Sequence, residues 1–142
     1  MFTQNKSTIQ SHMKQHQATW GPSLPEVDNL AAPLQVFVRV RPLLPRDIEA
    51  NAYSLILDQP PRTIHFTHPT MRWAGGRFGT KTFDADGVFG ESATNDEVYR
   101  RMDVRKSLEE CISGRSDAFC IMAYGQTGTG KTYTTTSIEG PC

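Results

Sequence analysis

A glycine-rich segment near the carboxyl end of the sequence constrains the fold more than any other feature. Its residues match the spacing GxxxxGK[ST], an apolar run of strand length precedes it at 118–124, and a helix can begin at its lysine. The segment consists of Gly125, Gln126, Thr127, Gly128, Thr129, Gly130, Lys131 and Thr132. Glycines permit a wrap in which successive N–H groups point inward, and the following helix adds its positive end. The segment therefore predicts a loop that binds phosphate groups, in preference to a flexible linker.

The last two residues of this loop predict the chemistry of its ligand. Lys131 is a flexible cation that can reach the β- and γ-phosphates of a nucleotide, and the Thr132 hydroxyl can ligate Mg²⁺. Helicases, AAA-type ATPases, GTPases and cytoskeletal motors all use such a loop. The loop therefore predicts a nucleotide and magnesium but does not name the function.

The chain divides into two unequal parts. Residues 1–33 are polar and rich in Gln, Ser and Asn, and their apolar residues follow no period, which predicts a disordered extension. Trp20 could dock on the folded part, although a lone tryptophan in such a segment more often has no structural role. Residues 34–142 carry the strand and helix patterns and predict one α/β domain, in keeping with their length.

Strand patterns recur through the second part. Residues 34–41 and 118–124 are apolar on both faces and predict buried strands, whereas 63–67 alternates and predicts a half-exposed strand. Residues 80–84 predict the strand that returns from it. Glycine-rich residues predict a loop over 71–79 and a turn over 84–90.

One long helix is predicted between these strands. It begins at Ser92 or Thr94, with Glu97 placed three residues after Thr94 as in a capping box. Gly114 stands where a C-terminal cap belongs. A strand, a helix and a buried strand in this order predict a layered sheet with flanking helices.

Composition excludes several other classes of protein. Fifteen Lys and Arg balance fifteen Asp and Glu, so a protein that coats nucleic acid or an acidic membrane is disfavoured. No apolar run approaches the roughly 18 residues of a membrane span, and the first residues do not resemble a secretory signal. Three cysteines without CxxC spacing favour free thiols in a reducing, intracellular compartment. His65 and His68 lack further ligands at metal spacing and are predicted to be exposed loop residues.

Four motifs together resemble the kinesin motor domain family. Arg39–Pro42 matches its RxRP strand, Thr82–Gly90 resembles its F-x-F-D-x-V-F segment, and Val98–Tyr99 resembles the hydrophobic-aromatic pair of its helix. Cys120–Thr134 is similar to the family's strand and phosphate loop along its whole length. The motifs occur in the family's order and approximate spacing from about Leu34 to Thr134. Helicases lack the first two motifs.

The resemblance implies a fold and a set of binding residues. The expected fold is the P-loop NTPase type, a layered sheet with flanking helices as in the kinesin motor head. Arg39, Arg41 and Pro42 would border the adenine of ATP, and Tyr133 would cover its other face. The phosphate loop, including Gln126, Thr127 and Thr129, would hold the phosphates, and Thr132 would ligate Mg²⁺.

The resemblance also implies what this sequence lacks. The family's N-x-x-S-S-R and D-L-A-G-S-E loops position water and sense the γ-phosphate, and neither occurs here. We therefore expect a motor domain incomplete at its C-terminus, over residues 34–142, with no catalytic residue in this chain. Its function would be ATP binding for movement along microtubules, whose contacts lie in other segments, in the cytoplasm and cytoskeleton. The alternative is a non-motile nucleotide-binding fragment or regulatory truncation.

Overall fold

The computed structural model describes residues 6–22, 24–25, 34–69 and 78–138, which fall into two units, Met1–Glu91 and Ser92–Cys142. The loop predicted over 71–79 therefore lies almost wholly outside the described residues. The first unit contains α1 (Lys6–Gln17), β1 (Phe37–Arg39), α2 (Pro45–Glu49), β2 (Ile56–Gln59), β3 (Thr63–Pro69), β4 (Phe78–Asp84) and β5 (Gly87–Phe89). The second unit contains α3 (Asn95–Arg101), α4 (Val104–Ile112) and α5 (Lys131–Ile138). No helix in these ranges is long and apolar enough to cross a membrane.

Two small sheets form the first unit, which is mixed α/β in composition. Strands β1 and β5 pair in parallel, with Val38 opposite Val88. Strands β2, β3 and β4 form an antiparallel sheet in that order. The core consists of the buried residues Val40, Ile64, Ala85 and Val88, with Val38 and Ile56 packed against them. The predicted first strand is thus confirmed over three residues, while Leu34 and Val36 at its start are exposed.

Strand β5 occupies residues that the sequence analysis placed in a turn. Val88 and Phe89 are among the most deeply buried side chains of the described residues, at 0% and 1% exposure. The Val88 N–H donates to the Pro61 carbonyl and the Val40 N–H donates to the Phe89 carbonyl. A strand of three residues that begins with a glycine and is followed by another carries too short a pattern to be predicted locally, so its pairing with β1 decides its conformation.

The predicted strands at 63–67 and 80–84 are confirmed, but their exposure differs from the prediction. Thr63, His65 and Thr67 are buried to 6% exposure or less, whereas Phe66 is exposed. Residues directly opposite in an antiparallel sheet share a face, so His65 shares its face with Leu57 and Thr82. The polar face of β3 is thus buried. The prediction that His65 is an exposed loop residue was wrong.

The segment that buries this face is α1, so the prediction of a disordered extension was wrong for residues 6–22. Ile9 and Met13, one turn apart, are 3% and 7% exposed. After the helix, the Trp20 ring stacks on the His65 ring with centroids 4.1 Å apart. Few apolar residues are present, but their spacing directs them to one surface, which offsets part of the entropy of ordering the segment.

The predicted helix of the second unit is present as two helices. Thr94 caps α3, because its Oγ1 accepts a hydrogen bond from the Glu97 N–H at 3.2 Å, as predicted. The chain then breaks at Met102–Asp103, where Asp103 adopts a left-handed φ of 49°. Gly114, with φ of 69°, follows the end of α4 and confirms the predicted cap.

The predicted buried strand at 118–124 is not formed. These residues are irregular, and Met122 and Tyr124 are 85% and 98% exposed. A strand that is apolar on both faces is stable only when neighbouring strands pair with its edges and helices cover it. Within residues 92–138 no strand is present to pair with it, so the apolar pattern alone does not produce a strand.

Candidate functional site

The segment after Tyr124 forms a tight glycine-dependent loop that leads directly into α5. Gly128 and Gly130 have φ values of 84° and 93°, in the left-handed region that residues other than glycine rarely adopt. At Gly125 the requirement is space, because a Cβ there would lie 2.6 Å from Thr129 Oγ1. The predicted start of the helix at Lys131 is confirmed. The conformation of the loop therefore depends on glycine at these three positions.

Hydrogen bonds within the loop hold this conformation. Thr129 donates twice to the Gln126 carbonyl, from its N–H at 3.3 Å and from its Oγ1 at 2.8 Å. The Lys131 ammonium donates to the carbonyls of Gly125 and Gln126 at 2.7 and 2.8 Å. An ammonium group has three donors, and these two bonds use two of them. Lys131 is therefore held beside the loop with its charge available to an anion.

Helix α5 places its positive end against the same loop. Its first turn begins with the hydrogen bond from the Thr134 N–H to the Gly130 carbonyl at 3.0 Å. Further along, the Thr136 hydroxyl donates to the Thr132 carbonyl at 2.7 Å. The helix lies against α3 of the same unit. N–H groups at a helix start lack intrahelical partners and attract anions, which complements the charge of Lys131.

Two predicted ligand residues lie in the first turn of α5. The Thr132 side chain is exposed beside Lys131, and the Tyr133 ring is 64% exposed. Both are therefore accessible to a ligand in the loop. Predicted residues 125–133 thus form one contiguous surface of the second unit.

The other predicted residues lie together in the first unit, at the end of β1. Arg39 is the last residue of the strand, and Pro42 is exposed. The Arg41 Nη2 donates to Asp47 Oδ2 at 2.6 Å. The Arg41 Nη1 atom is buried and has no hydrogen-bond partner among the described residues. The assignment of these residues to adenine stays a prediction.

Asp47 is a residue of this region that the sequence analysis missed. Its Oδ2 also accepts from the Leu44 N–H at 2.9 Å, so it caps the start of α2 while holding Arg41. The Leu44 N–H and then the Arg41 guanidinium hold the pKa of Asp47 below its ordinary value, against the opposing effect of burial. Pro45 in the first turn followed by Asp47 is a typical helix start, and this signal could have found it.

The residues of the second unit fit a polyphosphate chain with magnesium. A Cβ at Gly125 would meet the Thr129 hydroxyl, the two left-handed glycines curve the backbone, and Lys131 supplies charge. Among the described residues, no three His, Cys, Asp or Glu side chains are grouped to hold a metal. A magnesium ion here would therefore combine the Thr132 hydroxyl with phosphate and water oxygens, as is usual for Mg²⁺.

Comparison with known proteins identifies the family of the chain. A sequence model of the kinesin motor domain matches residues 39–140. Kinesin-like protein KIN-14F of Oryza sativa subsp. japonica is 40% identical over 116 residues, covering 82% of this chain and 10% of that protein. Kinesin-like protein KIN-14G of Arabidopsis thaliana is 38% identical over 110 residues, covering 78% of this chain and 10% of that protein.

A human relative matches over a similar range. Kinesin-like protein KIF18B of Homo sapiens is 33% identical over 120 residues, covering 75% of this chain and 14% of that protein. The chain thus spans about a tenth of the length of the first relatives it matches. The match to the kinesin motor domain model, over residues 39–140, nevertheless includes both the RxRP motif at 39–42 and the glycine-rich loop at 125–130. The chain belongs to the kinesin motor domain family.

Proposed function

We propose that this chain is the ATP-binding portion of a kinesin motor head. The observation that carries the proposal is the loop at 125–130, with its two left-handed glycines and the Lys131 ammonium held beside it. Membership of the kinesin motor domain family supports the proposal that the ligand is a nucleotide. On the same ground we propose the layered fold of the P-loop NTPases. Movement along microtubules is proposed for the motor to which this portion contributes, with cytoplasmic and cytoskeletal location.

Each residue of the loop has a defined task in this proposal. The N–H groups of Gln126, Thr127, Gly128 and Gly130 donate to phosphate oxygens, because the glycine φ values curve the backbone, while the Thr129 N–H stays bonded to the Gln126 carbonyl. The Lys131 ammonium exchanges one or both carbonyl partners for the β- and γ-phosphates. Thr132 contributes its hydroxyl to Mg²⁺, which neutralises phosphate charge when bound.

The first unit contributes to recognition of the base in this proposal. Asp47 fixes the Arg41 guanidinium through Nη2, which holds the end of β1 in one conformation beside the base. Pro42 offers an exposed apolar surface. We propose Arg39, Arg41, Pro42 and Tyr133 as adenine-binding residues.

We do not expect this chain alone to hydrolyse ATP. In-line attack by water needs a group that positions the water and one that responds to the γ-phosphate. The corresponding family motifs do not occur in the 142 residues. Binding of ATP without turnover, with or without microtubules, is therefore the expected behaviour, and turnover stimulated by microtubules would contradict it.

Titration calorimetry of the 142-residue chain with Mg·ATP tests the nucleotide site. We expect Lys131→Ala to weaken binding by at least about tenfold, because a charge-assisted bond to phosphate contributes about 1.5–3 kcal/mol. Thr132→Ala should make the affinity for ATP less dependent on Mg²⁺, while the affinity for metal-free ATP should change little. Thr136→Ala, one turn further along α5, is the matched control and should bind as the natural chain does.

Inorganic tripolyphosphate separates the phosphate site from the base site. Tyr133→Ala should weaken ATP binding but not tripolyphosphate binding, whereas Lys131→Ala should weaken both. Absence of binding heat with folded protein at several temperatures would refute the nucleotide site. Equal effects of Tyr133→Ala on both ligands would refute the role of Tyr133 at the base.

A further inference from the structure

The segment at residues 6–22, named here the N-terminal cover, is held on the polar face of the β2–β3–β4 sheet by contacts rich in histidine. The His12 Nε2 lies 3.2 Å from Thr80 Oγ1, and the His16 Nε2 lies 3.3 Å from the His65 Nδ1. The Trp20 ring stacks on the His65 ring. His65 is thus the residue of the sheet on which the cover converges.

Hydrogen bonds determine which nitrogen of His65 carries its proton. The Gln59 Nε2 donates to the Gly21 carbonyl at 2.8 Å, so the Gln59 amide is oriented with Oε1 toward the His65 Nε2, 3.0 Å away. A carbonyl oxygen can only accept, so the proton of neutral His65 is on Nε2. Its Nδ1 is therefore an acceptor.

The same reasoning assigns the proton of His16. The His65 Nδ1 lies 3.0 Å from Thr82 Oγ1 and 3.3 Å from the His16 Nε2, so both partners must donate toward one lone pair. His16 therefore carries a proton on Nε2. A proton added to the other nitrogen of His16 leaves this arrangement intact.

A second proton, on His65, removes the arrangement. Both facing nitrogens would then be N–H donors 3.3 Å apart, on two cationic rings whose centroids are 5.1 Å apart. The pKa of His65 is lowered by burial and then by the charge of His16, while Asp84 on β4 acts in the opposite direction. Gln59 and Thr82, the other side chains bonded to its ring, are neutral, and His12 faces Thr80 one turn away.

We propose that the N-terminal cover is an acid-released cover, docked on the sheet when His65 is neutral and detached when His16 and His65 are both protonated. Release exposes the polar face that contains Thr63, His65 and Thr67. The pKa of His65 is lower in the docked state than its ordinary value of 6.5, so the neutral ring stabilises docking at pH values above 6.5. This contribution to docking is lost as the pH falls below 6.5 and through the lowered pKa.

Acrylamide quenching of Trp20 in the full chain tests the proposal. The background substitution Trp73→Phe removes the other tryptophan of the sequence. Between about pH 7.5 and about pH 5 we expect the quenching constant to rise about threefold or more as the stacked ring becomes exposed. Circular dichroism of the strands should stay unchanged over this range, because the core around Val88 contains no titrating group.

Two matched variants separate the histidine pair from general effects of acid. His16→Gln keeps an N–H donor near the Nε2 position but cannot be protonated, so Trp20 should stay protected down to about pH 5. His12→Gln, on the same helix one turn earlier, should keep the transition of the natural chain. A flat profile in the natural chain, or the same transition in His16→Gln, would overturn the proposal.

Nuclear magnetic resonance gives a second measurement if His16→Gln does not dock. The ring ¹⁵N shifts of the natural chain should show His65 protonated on Nε2 at neutral pH. The His65 ring should gain its second proton together with the change in the Trp20 indole signal. Protonation of His65 at a pH where Trp20 keeps its docked signal would overturn the proposal.

Discussion

A methyl group added at Gly125 is a sharp test of the loop geometry. The new Cβ would lie 2.6 Å from Thr129 Oγ1 and 3.5 Å from Thr129 Cβ, so the hydroxyl must move while the rest of Thr129 can stay. Moving it breaks the 2.8 Å hydrogen bond from Oγ1 to the Gln126 carbonyl. Gly125→Ala therefore opposes the closed loop through one identified partner.

The loss of ATP affinity in Gly125→Ala follows from the broken hydrogen bond and the displaced Thr129 side chain. Loss of the exposed hydrogen bond costs about 0.5–1 kcal/mol, and a displaced side-chain torsion costs about 0.5–1.5 kcal/mol. Together they raise the dissociation constant of Mg·ATP about 5- to 60-fold, since about 1.4 kcal/mol is a factor of ten. Thr129→Ala alone loses only the hydrogen bond and should weaken binding about two- to fivefold.

The double variant decides between this contact and a general disturbance of the loop. In Gly125→Ala/Thr129→Ala the obstructing hydroxyl is absent, so binding should be within about twofold of Thr129→Ala alone. Equilibrium titration with a fluorescent ATP analogue measures all four proteins. Gly21→Ala, where a Cβ meets no atom within 4 Å, is the control and should bind normally. Strictly additive effects of the two substitutions would refute the contact.

Three further predictions concern stability. Asp47→Asn should lower the melting temperature at pH 7, and the difference should shrink as the pH falls below 3.8, because a lowered pKa stabilises the fold only while the carboxylate is ionised; calorimetry at several pH values checks this, and a constant difference would contradict it. Met13→Ala should lower the free energy of docking of α1 by about 2 kcal/mol or more, seen as faster amide exchange over residues 6–17, with Lys14→Ala as the control. Asp103→Gly should raise the free energy of unfolding by up to about 1 kcal/mol because it relieves the left-handed φ of 49°, whereas Asp103→Val should lower it in the same denaturation experiment.

Features that depend on neighbouring residues could be predicted from the sequence. The cap of α3 needs only Thr94 and the Glu97 N–H, and the end of α4 needs only a glycine that accepts a left-handed φ. The phosphate loop is of the same kind, because its glycines, Thr129 and Lys131 bond within a span of seven residues. Adjacent residues supply both partners of each interaction, so the spacing alone contains the information.

Features that depend on distant partners could not be predicted in this way. The 118–124 run has the composition of a buried strand, but pairing with other strands decides whether a strand forms, and none is present within residues 92–138. The short strand β5 shows the opposite case, since its pairing with β1 makes a strand of residues with little local preference.

The sequence by itself determined a tight glycine-rich loop at 125–130, the start of the helix after it, the caps of the second unit and membership of the kinesin motor domain family. Tertiary structure alone decided that the polar side of β3 is buried in addition to Ile64 on its other side. His65 is covered because His16 and Trp20, some fifty residues earlier in the chain, contact its ring. Alternation along a strand shows that its two faces differ, but the burial of a face depends on which surface another segment covers.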